Sequence, residues 1–246
     1  MRTAFALPGA LILLTLHMPA FAGEIKLIAA GAFKPSIEAI SEQLVKWGGQ
    51  KLVSSFASTV DVEKTVRGGN GCDVVITGDQ QLSALAKDGL VHDKKSIGHA
   101  YLAVAVKNGQ PAPDVSNVEA FKTALLSAKK PAYSSGLSGV AFAKVIEKAG
   151  LAVELSPKVV VVKNGPVGDA LMRGDSDFGI QQNIELLAVD GVKVIGPVPG
   201  EFGATFPSGV ALCKGATEDA ANFVSYLKSD EAVEIFRRHG YVQDGG

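Results

Sequence analysis

Only two cysteines, one tryptophan and four histidines occur in the 246 residues, and the formal charge is −1. Each shortage excludes a class of protein. So small a charge offers no basic field for nucleic acid or a membrane surface, so neither is expected as a partner. No grouping of His, Cys and Asp has zinc-ligand spacing, so no metal and no cofactor is expected. Past the first residues no apolar run is long enough to span a bilayer. Nothing is repetitive or low in complexity, which leaves little basis for a structural or adhesive role. Cys72 and Cys213 lie in separate apolar runs. In an oxidising compartment they either pair or remain two buried thiols, and spacing alone does not decide between these.

What is present begins with an export signal. Met1-Arg2 is a positive start, residues 4–16 are almost wholly apolar, and Ala20-Phe21-Ala22 fits a small-x-small cleavage site. Residues 1–22 therefore read as a cleavable signal peptide, with a soluble periplasmic chain starting at Gly23. No lipobox cysteine follows it.

The chain then alternates short apolar runs with amphipathic segments. Strands are expected at 25–30, 51–57, 72–77 and 101–106, and helices at 35–47, 60–67, 80–88 and 118–127. The pattern restarts with strands at 130–133, 158–162, 178–181 and 192–195, separated by helices at 140–149, 166–173 and 184–189. An extended run at 207–213 leads to helices at 217–227 and 230–240, the second with Asp230 as its cap. Such alternation with short connections implies an α/β fold of parallel sheets flanked by helices. Two units of similar build give two lobes: residues 23–102, then 103–206, with 207–246 returning to the first. Chain crossings near Tyr101 and Phe206 would place a ligand between the lobes.

Four strand-to-helix junctions share a chemical character: Gly31-Ala32-Phe33-Lys34, Ser58-Thr59-Val60-Asp61, residues 134–139 and residues 164–167. Each has small or hydroxyl side chains where a helix presents free N–H groups and the positive end of its dipole. Several such ends, aimed at one gap, hold a compact anion without a buried cation. Taken singly, each is equally the capping expected of Ser and Thr.

Residues 54–80, SSFASTVDVEKTVRGGNGCDVVITGDQ, resemble the corresponding stretch of the periplasmic molybdate-binding proteins. Residues 29–33 and 223–241 resemble that family's first turn and ending, so the similarity spans essentially the whole mature chain. The resemblance implies a two-lobe type II periplasmic binding protein fold, a monomer, and an inner-membrane ABC permease as partner. It places ligand contacts at Ala32, Phe33, Ser58, Thr59, Ser138, Gly139, Val167 and Gln182. Two of that family's hydroxyl donors are replaced here, one by Ala32 and a tyrosine by Gln182. Each lost donor to a charged oxygen costs about 1.5–3 kcal/mol. An organic polycarboxylate is therefore expected over molybdate or tungstate.

The GIQQ segment (179–182), followed by residues 194–201, resembles a divergent branch that includes bacterial aconitate isomerase. That leaves a second reading, a cofactor-independent enzyme moving a proton from trans- to cis-aconitate. It needs a base, for which Asp61, Asp73, His99 and Glu201 are candidates and none stands out. Lys34, beside the first turn, is either a cation for the ligand or a solvated helix-face lysine.

Overall fold

The computed structural model describes residues 23–46, 49–69 and 71–243. The expected signal segment, and Trp47 at the end of the first expected helix, lie outside them. The chain runs β1 (Glu24–Ala30), α1 (Lys34–Lys46), β2 (Lys51–Ala57), α2 (Thr59–Arg67), β3 (Val74–Gly78), α3 (Asp79–Lys87) and the long β4 (Val91–Lys107). It continues through α4 (Val118–Ser127), β5 (Pro131–Ser134), α5 (Leu137–Ala149), α6 (Ala152–Leu155), β6 (Val160–Val162), α7 (Val167–Arg173), β7 (Phe178–Gln182) and α8 (Asn183–Leu187). Last come β8 (Val192–Pro197), β9 (Thr205–Cys213), α9 (Glu218–Tyr226) and α10 (Asp230–Arg238).

The strands form one continuous order, β2-β1-β3-β9-β4-β7-β5-β6, with β8 also on β4. β1 pairs in parallel with β2 and β3, and β5 pairs in parallel with β6 and β7. The apolar runs fit these places: β3 and β1 from Leu27 on are almost wholly buried, as expected of strands covered by helices on both faces. Between the parallel groups lie the antiparallel β9 and β4, paired at Ala100–Phe206 and Tyr101–Thr205. One core packs around β1, β3 and α9, with Phe33, Ile37, Phe223 and Tyr241 among its buried members. Another, around Phe121, Phe142 and Phe178, lies beyond β4.

Helix ends follow their capping chemistry. The side chains of Ser58, Asn117, Thr217 and Ser229 each accept the backbone N–H three residues on. Ser229, not Asp230, thus caps α10, which leaves Asp230 and Glu231 in the first turn beside the positive dipole end. Gly150 and Gly174 close α5 and α7 at φ 70° and 78°, a conformation glycine adopts without a Cβ penalty.

β4 departs most from the sequence expectation. It starts ten residues before the expected strand at 101–106, and residues 92–96 are exposed and mostly charged or polar, so no alternation marks them. Cross-strand pairing with β9 holds them in the sheet, with register shifts between His92 and Lys95 and between Ser96 and Gly98. At Gly98 (φ 111°) an added Cβ would stand 2.3 Å from the Val242 carbonyl oxygen. His99 and Val242 exchange backbone hydrogen bonds of 2.8 and 2.9 Å there, which ties the chain end to the crossing strand. Cys72 and Cys213 form a disulfide linking the approach to β3 with the end of β9, across 141 residues of sequence.

Candidate functional site

The C-terminal ends of β1 and β2 and of β5 and β7 face a common cleft of about 490 Å³. Its walls are Gly31 and Ala32 from the first turn, Ser58, Thr59 and Val60 from the start of α2, Ser134 from the end of β5, and Gly136, Leu137 and Ser138 from the start of α5. Gln182 and Glu185 close it from the β7–α8 corner. The N-terminal ends of two full helices, nine and thirteen residues long, thus line one space. A contiguous recess of about 430 Å³ shares Ala30, Ala32, Thr59, Leu137 and Gln182 and runs on to Gly78, Gln80, Thr205 and Ser208.

Local hydrogen bonding fixes these walls. Ser58 caps α2 and donates its hydroxyl to the Asp61 carboxylate at 2.6 Å. Ser134 and Ser138 are buried, and their hydroxyls lie 2.9 Å apart. The Gly136 N–H donates to the Ser134 hydroxyl at 3.3 Å, and no side chain caps α5. An uncapped helix start facing solvent space keeps its dipole end available to an incoming anion. Gly139 explains how α5 comes so close to β5. A Cβ there would fall 1.6 Å from the Ser134 carbonyl oxygen, so only glycine permits the approach.

Among the described residues lining the 490 Å³ space, the single ionisable group is Glu185, in the first turn of α8. It is half-buried, and burial pushes its carboxyl up to about 7 from an ordinary 4.5, against the opposing hydrogen bonds of the Gln181 side chain and the Gln182 backbone. No ion pair reaches it among the described residues. The neighbouring Tyr241 hydroxyl, buried and pushed well above its ordinary value, feels the Glu185 charge after burial itself. Tyr241 also stacks on Phe33 with ring centroids 5.0 Å apart and donates to the Ala32 carbonyl oxygen at 3.5 Å.

Of the eight residues expected to contact a ligand, Ala32, Ser58, Thr59, Ser138 and Gln182 line the main cleft. Phe33 lines only the recess and belongs mainly to the core. Gly139 lies beneath the α5 turn, outside the lining, and Val167 is buried with its N–H donated to the Gln181 side-chain carbonyl at 2.8 Å. The junction at 164–167 stays out of the lining, and its Val167 amide is bonded to a side chain. The expected bases are elsewhere too. Asp61 is exposed and held below its ordinary range by Ser58 and Lys64, Glu201 pairs with Lys148 at 3.2 Å, and Asp73 accepts the Lys26 N–H at 2.8 Å. Neither these nor His99 lines the main cleft, and Lys34 pairs with Glu38 at 3.8 Å. Glu185 was not singled out from the sequence. The one signal for it was an acid set among Ile184, Leu186 and Leu187 directly after a buried strand.

An α/β sheet flanked by helices, with the starts of α2 and α5 lining one cleft, is the architecture of a solute-binding protein. The chain belongs to the family described as bacterial extracellular solute-binding protein, whose profile matches residues 25–242. Among curated proteins it is 28% identical over 226 residues to the aconitate isomerase of a Pseudomonas species, covering 88% of this chain and 86% of that one. It is 27% identical over 229 residues to the molybdate-binding protein ModA of Escherichia coli, covering 89% of each. Among solved structures, the periplasmic molybdate-binding protein of Azotobacter vinelandii superposes with a TM-score of 0.71 at 21% identity, over 90% of this chain and all of that one.

Proposed function

We propose that the protein is a periplasmic receptor for a small organic polycarboxylate, which it delivers to an inner-membrane ABC permease. The observation that carries this is the convergence of the α2 and α5 N-termini, with the Thr59 and Ser138 hydroxyls, on a cleft with no lysine, arginine or histidine in its described lining. Backbone dipoles and hydroxyls bind carboxylates this way without an ion pair. The recess towards Gly78 and Ser208 gives room for a second or third carboxyl, and Gln182 both donates and accepts, which suits a carboxylate or carbonyl better than a symmetric dianion. A bound ligand raises apparent stability by mass action. Thermal melts with citrate, cis- and trans-aconitate, sulfate, molybdate and tungstate therefore test the assignment. Tricarboxylates are expected to raise the melting temperature and molybdate to leave it unmoved; the reverse order would refute the assignment.

One observation favours a second reading, proton transfer on the bound polycarboxylate. The cleft holds an acid–base group poised near neutrality, Glu185, and a relative of similar length is named aconitate isomerase. An allylic proton shift needs such a group and no cofactor. NMR of trans-aconitate incubated with the protein alone tests it: growth of the cis isomer makes the protein an enzyme.

A further inference from the structure

We propose that Glu185 meets the bound anion as a neutral acid, so that the protein takes up a proton as it takes up its ligand and releases the ligand as pH rises. The inference rests on the carboxylate-binding reading and names how that site is regulated. An anion cradle lined by a lone carboxylate is a contradiction in charge. Helix N-termini and hydroxyls attract a negative guest, whereas an ionised Glu185 in the same lining repels it.

A cation would resolve such a conflict, and among the described residues none acts on Glu185. Of the elements packed against α8, the second half of β4 carries His99, Tyr101 and Lys107, β8 carries Lys193, α7 carries Asp169 and Arg173, and the chain end, where Gly240 meets Asn183 and Ile184, carries His239 and Tyr241. Lys107 turns to the Met172 carbonyl oxygen and Arg173 to Asp175. Of all these groups only Tyr241 is electrostatically coupled to Glu185, and its buried hydroxyl stays neutral. The Gln181 and Gln182 hydrogen bonds favour the ionised form and yet do not offset burial.

With the cleft open to solvent the carboxyl is poised near neutrality. An anion seated beside it adds repulsion and drives it to the protonated state, where it donates a hydrogen bond to the guest. By linkage, affinity is then flat well below pH 7 and falls about tenfold per pH unit above it. A donor that exists only when protonated also separates ligands: a carboxylate guest accepts it, and at high pH nothing replaces it.

Two measurements on the full mature protein decide the matter. Titration calorimetry with trans-aconitate from pH 5.5 to 8.5, in two buffers of different ionisation enthalpy, is expected to show proton uptake near pH 7 and a fall in affinity of tenfold or more by pH 8.5. The E185Q variant, which carries a permanent neutral donor of nearly the same shape, is expected to bind with affinity that varies less than threefold over that range. The ligand's own ionisation is common to both proteins and cancels in the comparison. A wild-type affinity as flat as that of E185Q overturns the proposal. Should trans-aconitate bind at no pH, the carboxylate reading fails, and ¹³C NMR of glutamate-labelled, ligand-free protein still decides the inference. A resonance titrating near pH 7 in the wild type and missing in E185Q supports it, and no carboxyl titrating above pH 5.5 overturns it.

Discussion

The side-chain carbonyl of Gln181 accepts the backbone N–H of Val167 at 2.8 Å, in a buried position between β7 and the start of α7. This bond commits the amide oxygen to α7, and hydrogen bonding from the same side chain lowers the Glu185 carboxyl against the effect of burial. One glutamine thus bonds to the start of α7 and acts on the acid that lines the cleft. Gln181→Leu strands the Val167 N–H and removes a bond that lowers the Glu185 titration point. The variant is expected to lose about 1–3 kcal/mol of stability and to titrate Glu185 at higher pH than the wild type. Thermal melts and carboxyl NMR check the two halves; an unmoved Glu185 titration would disconnect the pair.

Glu185 also sets a pH dependence of stability with a definite sign. Its carboxyl lies at about 7 in the folded chain against an ordinary 4.5, so below 4.5 it is protonated in both states and contributes nothing. As pH rises from 4.5 to 7 the unfolded chain gives up this proton first, and folding is progressively disfavoured. Above 7 the cost is constant, about 1–3 kcal/mol for a half-buried group. The melting temperature of E185Q minus that of the wild type is therefore expected to grow by about 3 °C or more between pH 4.5 and 7.5. A difference that stays constant over that interval contradicts the burial of this carboxyl.

The same group separates receptor from enzyme. Ligand affinity through a neutral Glu185 improves as pH falls towards 7 and levels off below it, whereas turnover through an ionised Glu185 as base rises with pH through 7. A pH profile of trans-aconitate isomerisation, measured beside the binding profile, shows which form is at work.

Thr59 lines both parts of the cleft, at the start of α2. Thr59→Ala is expected to weaken binding of a tricarboxylate about tenfold or more, while the empty protein melts within a few degrees of the wild type. Equal affinity in calorimetry would remove the hydroxyl from the site.

The disulfide Cys72–Cys213 closes a loop of 141 residues that includes every element from β3 to β9. Constraint of so long a loop in the unfolded chain corresponds to about 3–5 kcal/mol. Reduction is expected to lower the melting temperature by about 10 °C, read from melts with and without reductant, and an unchanged melt would show the bridge to be incidental.

Much of this was legible in the residues. Apolar runs marked β1 and β3 because both faces of those strands are covered, and Ser58 and Thr217 marked helix starts because a hydroxyl there satisfies an open N–H. The first half of β4 was not legible: its exposed, largely charged residues join the sheet through pairing with β9, a contact more than a hundred residues away in sequence. The same limit applied to the site. Ala32, Thr59 and Ser138 sit at junctions that local chemistry identifies. That Val167 surrenders its amide to Gln181, and that Glu185 turns into the cleft, depends on how β7 and α7 meet, which no local pattern encodes.

The account depends on one guest touching α2 and α5 together. Backbone amide shifts during a titration with trans-aconitate report this directly. The amides of residues 58–61 and 136–138 are expected to move in concert, with one shared dissociation constant, while those of the exposed α4 surface stay still. Shifts confined to one helix start, or absent from both, would contradict the claim that the two ends hold a single anion between them.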